Sequence, residues 1–179
     1  MLAVLEAMKV IERRPKSGIY INDDAGGLEK MAFISQLGMP LEARQVDELG
    51  ELRKIHENKA AELAASNATE ENMLALKQIL DESEATLALG GSLHNLDRSF
   101  HLEVVRATQN SLLHSLCQLY YQASNKRLTA YFQMHERGVT SHTEHLQIFD
   151  AIARKDGMLA HSLMNAHLTG APNYWADIL

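Results

Sequence analysis

Proline is nearly missing from this chain: it occurs only at Pro15, Pro40 and Pro172, so residues 41–171 contain none. Such a stretch carries no obligatory helix breaker. Glycine is thin in the same region, absent between Gly50 and Gly90 and again between Gly91 and Gly138, which leaves room for long helices. The single cysteine, Cys117, excludes an intramolecular disulfide framework. No N-terminal stretch has the basic start, apolar middle and small-residue cleavage site of a signal peptide, so a cytoplasmic protein is expected. The longest charge-free run, residues 107–125, is interrupted by Gln109, Asn110, Ser111, His114, Ser115, Gln118 and Gln122 and is too polar to span a membrane. Positive charge is in deficit, with a net charge of −6, which argues against wholesale coating of nucleic acid.

What is present is helical periodicity on a 46% apolar composition. Val46, Leu49, Leu52, His56, Ala60 and Leu63 recur at three- and four-residue steps, the stripe of an amphipathic helix. Thr69 reads as an N-cap, with Glu70 and Glu71 in the first turn, and the following helix runs to Gly90-Gly91. Leu93, Leu96, Phe100 and Val104 mark the next. A longer segment from Leu112 carries Leu116, Leu119, Tyr120 and Leu128 and ends by Gly138. Ser141 and Glu144 have capping-box spacing and predict a helix start there, interrupted at Asp156-Gly157 before a last helix through Leu163, Met164 and Leu168. The expected fold is an all-α bundle from about residue 41 onward. Before it, short apolar runs at residues 10–12 and 19–21 flank Arg13-Arg14-Pro15-Lys16-Ser17-Gly18, a small β-hairpin with a basic tip. A hairpin of this size does not hold itself together alone.

Histidine is abundant, nine in all. Asp97 and His101 are four residues apart, on one face of a helix, and that face is apolar, so a carboxylate and an imidazole there need a partner. His145 and His167 lie on two later helices that an antiparallel pairing would bring level. The spacing leaves two readings open: a metal site, or an Asp-His hydrogen bond with two unrelated histidines. His56, His94, His114, His135, His142 and His161 are assigned to solvent or local packing, with His142 held in reserve as a substitute ligand.

Residues 5–21 resemble the end of the winged helix-turn-helix domain of GntR-type bacterial transcription regulators. Residues 51–65 resemble the first helix of the ligand-sensing C-terminal domain (FCD-type) of the FadR subfamily. Asp97-Arg98-Ser99-Phe100-His101, Asn110, Glu144-His145 and His167-Leu168 match that domain's signature in order and spacing. The resemblance implies a six- or seven-helix antiparallel bundle, with a remnant wing over residues 1–22, a linker over 23–40, a metal- and ligand-binding sensor over 41–172 and a tail over 173–179, the N-terminal winged helix being truncated. It implies Asp97, His101, His145 and His167 as ligands of a divalent metal, zinc first, nickel or manganese otherwise. It also implies a small organic acid effector, a hydroxy or keto acid such as lactate, glycolate or pyruvate. If they face the cavity, Arg53 is a candidate bidentate carboxylate clamp and Asn110 a candidate for a directional hydrogen bond, against the plainer readings of a surface ion pair and a helix cap. Arg13, Arg14 and Lys16 are the candidate DNA contacts; with the base-reading helix absent, this chain alone is expected to bind operator DNA weakly or not at all. A homodimer without catalytic residues is implied. The alternatives are a helical metallohydrolase, disfavoured because no His-Glu-x-x-His or Glu-x-x-His motif occurs, and a metal-free dimerisation module.

Overall fold

The computed structural model describes residues 2–7, 11–21, 27–39 and 41–170. The run 173–179, expected as a tail, lies outside them, as does most of the junction between the hairpin and the first bundle helix. A short helix α1 (Leu2–Ala7) precedes strands β1 (Ile11–Arg14) and β2 (Gly18–Ile21), paired antiparallel with Arg14 opposite Gly18. Arg13 and Arg14 therefore belong to β1 rather than to the tip. The turn is Pro15-Lys16-Ser17, with Lys16 at φ 62° and Ser17 N donating to Arg14 O.

Helix α2 (Leu28–Gln36) leads into the bundle, α3 (Ala43–Asn67), α4 (Glu70–Ala88), α5 (His94–Arg106), α6 (Ser111–Tyr131), α7 (His135–Ala153) and α8 (Gly157–Gly170). Six helices follow residue 41 and α2 lies along α6 as a seventh. Several predicted boundaries hold for the predicted reason. Thr69 caps α4 by accepting from Asn72 N, and Gly90 takes a positive φ of 73° just past its end. The 25 residues of α3 run antiparallel to α8, pinned by Asn58 donating to Asn165 and by Gly157 seated against the Glu62 carbonyl.

One predicted boundary fails. Helix α7 begins at His135, not at Ser141, and Gly138 lies inside it. A Cβ on Gly138 would come within 3.0 Å of Leu87 and 3.5 Å of Leu93, so this glycine is a close-packing point and not a stop. Ser141 is consequently mid-helix, free to point its hydroxyl inward.

The buried residues form two clusters. One gathers Val46, Leu49, Tyr120, Tyr121, Leu128 and Phe132 around α3 and α6. The other gathers Leu76, Leu80, Phe100, Val104, Ile148 and Met164 around α4, α5, α7 and α8. Polar side chains occupy the seam between them: Arg53, Glu57, Asp97, His101 and His145 are all buried.

Candidate metal centre

Helix α5 presents Asp97 in its first turn, where a carboxylate is favoured by the helix N-terminus, and His101 one turn later on the same face. His145 comes from the middle of α7 and His167 from the last turn of α8. Phe100 stacks on the His145 ring at 4.0 Å between centroids, and the rings of His101 and His167 stack at 5.1 Å, so packing fixes the imidazole planes.

The four side chains converge on one point. His101 Nε2 lies 3.1 Å from His167 Nε2 and 3.2 Å from His145 Nε2, and His145 Nε2 lies 3.3 Å from His167 Nε2. Asp97 Oδ1 stands 3.4 Å from His145 Nε2 and 3.8 Å from His101 Nε2. Ser141 donates its hydroxyl to the same Asp97 oxygen at 2.8 Å and orients it. Two nitrogens bonded to one ion at about 2.1 Å are separated by about 3.0 to 3.4 Å, the spacing of these atoms.

The outer nitrogens explain why a cation fits. His101 Nδ1 stands 2.6 Å from Glu57 Oε2, and His167 Nδ1 stands 2.6 Å from Glu144 Oε2. A carboxylate at Nδ1 keeps the proton there and leaves Nε2 as the lone-pair atom. Lone pairs of like sign then face each other across a dry space, an arrangement that a positive ion reverses. Burial first, and the neighbouring His167 and His101 next, push His145 well below the ordinary imidazole range; burial also lowers His101 against the opposing pull of Glu57. Both are therefore neutral, ligand-ready imidazoles at pH 7. Burial alone would raise Glu57, but Arg53 and His101 together hold it well below the usual carboxylate range.

Arg53 faces the same small cavity as Asp97, Ser141, His167 and Tyr131. It is a buried ion pair and not a surface one: Nε donates to Glu57 Oε1 at 3.0 Å, and one terminal nitrogen donates to the Tyr121 hydroxyl at 2.8 Å. Asn110 stands apart as the N-cap of α6, its oxygen accepting from Leu112 N and Leu113 N at 3.1 Å. His142 is buried beside the cluster but is not one of the four convergent residues. On the hairpin, Arg13 pairs with Glu6 and Arg14 with Glu12, each at 3.1 Å. Glu144 and Ser141 were legible as a capping-box pair, and Glu144 as the neighbour of His145, but neither as a partner of the convergent residues. Glu57 had one available signal, its four-residue spacing from Arg53 on a face otherwise apolar.

Three imidazoles and one carboxylate on a common point in a helical bundle, with carboxylates behind two of the imidazoles, are a group that could hold a metal ion. The FCD domain model matches residues 48–170. The chain belongs to the FCD domain family of GntR-type transcription regulators. It is 30% identical to the Uxu operon regulator of Haemophilus influenzae over 93% of this chain and 62% of that protein, so it spans under two thirds of that relative. It is also 30% identical to the transcriptional regulator LutR of Bacillus subtilis, over 94% of this chain and 78% of LutR. Streptococcus agalactiae GntR superposes with a TM-score of 0.65 at 24% identity, over 94% of this chain and 77% of that one, and E. coli McbR/YncC with 0.67 at 14%, over 98% and 77%. The relatives are transcription regulators and not enzymes, which removes the metallohydrolase reading. Among the described residues, no helix is long and apolar enough to cross a membrane.

Proposed function

We propose that this chain is the sensing part of a cytoplasmic, dimeric transcription regulator, in which a divalent metal and a small organic acid set the arrangement of DNA-binding parts. The carrying observation is that Arg53, Asp97 and His167 line one cavity. A hydroxy or keto acid there places one end on the metal's open positions and its carboxylate within reach of the guanidinium. Asp97, His101, His145 and His167 hold the ion, with zinc, nickel and manganese all suited to an imidazole and carboxylate set. The metal supplies a Lewis-acidic anchor for the acid; Ser141, Glu57 and Glu144 hold its ligands in place.

The acid ties α3 to α5, α7 and α8. Its differential affinity for two domain arrangements moves the equilibrium between operator-compatible and operator-incompatible spacings. Residues 41–172 form the sensor, residues 1–22 the wing, and the segment 23–40 joins them while its helix α2 packs along α6 of the bundle. Two half-sites on operator DNA require two copies. Arg13, Arg14 and Lys16 contribute phosphate contacts on the wing, and Asn110 serves its helix instead of the effector. Calorimetric titration of lactate, glycolate and pyruvate into zinc-loaded protein tests the reading. At least one acid binds, and Arg53→Gln weakens it by about tenfold or more. Equal binding to metal-free protein, or to Arg53→Gln, contradicts it.

A further inference from the structure

A second group of buried side chains meets between α3 and α6, at the other oxygen of Glu57. His56, Glu57 and Cys117 each offer one ligand atom, and these atoms lie within 4.8 Å of one another. His56 and Cys117 take no part in the centre described above. All three residues are buried, His56 at 4% exposure and the other two at 0%.

The imidazole of His56 is polarised toward this spot. Its Nδ1 stands 2.6 Å from the Leu52 carbonyl, which only accepts, so Nδ1 carries the proton and Nε2 the lone pair. Nε2 is shielded from solvent and has no hydrogen-bond partner among the described residues. An anionic oxygen, Glu57 Oε1, stands 3.8 Å from it. A lone pair against a carboxylate in a dry interior is repulsive, and a cation between them reverses the sign. The remaining polar group is the Cys117 thiol, a weak donor but a strong soft ligand once deprotonated.

We propose that His56 and Cys117, with Glu57 behind them, form a second cation site for a soft monovalent d10 ion, Cu+ being the biological candidate. Charge selects the valence. Glu57 is already neutralised by Arg53, whose Nε lies 3.0 Å from Oε1. A thiolate with a monovalent ion is therefore neutral, whereas a divalent ion leaves a buried positive charge beside a guanidinium. Ligand softness selects the element, since imidazole and thiolate together suit Cu+. Geometry agrees. Bonds of about 2.1 Å to nitrogen and 2.3 Å to sulfur put the two atoms at most about 4.4 Å apart, so a near-linear pair forms with little movement. Burial holds the Cys117 thiol well above its ordinary range, so its proton leaves to solvent only as the ion enters.

The test uses the full chain loaded with zinc and titrated with Ag+, a redox-inert stand-in for Cu+, followed by native mass spectrometry and near-ultraviolet absorption. Cys117 is the chain's only cysteine, so a thiolate-to-metal charge-transfer band reports this residue alone. One Ag+ per chain with that band, and zinc retained, is the expected result. Cys117→Ser loses the band and the tight Ag+, and His56→Gln weakens it at least tenfold, with circular dichroism confirming the fold; His56→Asn replaces the Gln variant if α3 is disturbed. No band in the folded protein overturns the site. Undiminished Ag+ affinity in the folded His56 variants overturns it in favour of a bare thiol. A second zinc equivalent bound as tightly as Ag+ overturns the monovalent assignment.

Discussion

Arg53, Glu57, Asp97, His101 and His145 sit buried in the bundle, each against a named partner, whereas Arg13, Arg14 and Lys16 on the hairpin stand in water, the two arginines beside Glu6 and Glu12. The same residue types thus do different work. In the bundle a missing partner leaves an uncompensated buried charge or lone pair, so each substitution is felt through the whole cluster. On the hairpin, solvent replaces any partner that is removed. The contrast is one of burial: the seam between the two apolar clusters holds its charges dry, and the hairpin holds its charges in water.

Breaking the centre should have the largest effect. Saturating the wild-type protein with zinc stabilises it by about 4 kcal/mol when free zinc exceeds its dissociation constant a thousandfold, and His145→Ala forfeits that stabilisation while keeping its helical circular dichroism. Glu57→Gln comes next. It leaves Arg53 buried without its anion and is expected to destabilise the metal-free protein by about 3 kcal/mol in urea unfolding, with metal affinity about 10- to 100-fold weaker. An unchanged midpoint would mean that Tyr121 and the cavity alone suffice to hold Arg53.

Acid tests the same seam without a mutation. An imidazole in the unfolded chain takes its proton near pH 6.5, while folded His145 is held well below that, by burial first and by its neighbouring imidazoles next. The unfolded state therefore binds the extra proton. Stability of the metal-free protein is fully present above the ordinary imidazole range and falls as pH drops below about 6.5, by about 1.4 kcal/mol per pH unit from this residue. Denaturant melts from pH 7.5 to 5.5 read the slope.

Glu144→Gln sharpens the comparison within the centre. Glu144 is more exposed than Glu57, and its loss should weaken metal binding by about tenfold. The smallest effect belongs to the hairpin. Arg14→Ala is expected to move unfolding by no more than about 0.5 kcal/mol and to leave metal stoichiometry unchanged.

The helix set was legible because the sequence states it in punctuation: a long proline-free run, Thr69 as a cap, Gly90 past a helix end. Gly138 misled, because a glycine that admits Leu87 and Leu93 looks in sequence like one that ends a helix. That error also hid Ser141, whose hydroxyl orients Asp97 only because the residue is mid-helix. The four convergent residues were legible through the local Asp97–His101 pair and a family resemblance. Their spacing alone left them open, since His145 and His167 meet His101 only through helix packing across 44 and 66 residues. Glu57 went unseen as the partner of His101, and Glu144, quoted beside His145, went unread as the partner of His167, because a carboxylate behind an imidazole has no local signature; Arg53 was half-seen, its ion pair foreseen but not its burial.

The most direct measurement is metal content per chain by elemental analysis, on protein purified without a histidine tag or chelator, beside His145→Ala. Near one equivalent of zinc, nickel or manganese, lost in the variant, is the predicted result. Both proteins remaining metal-free after incubation with all three ions would contradict the account.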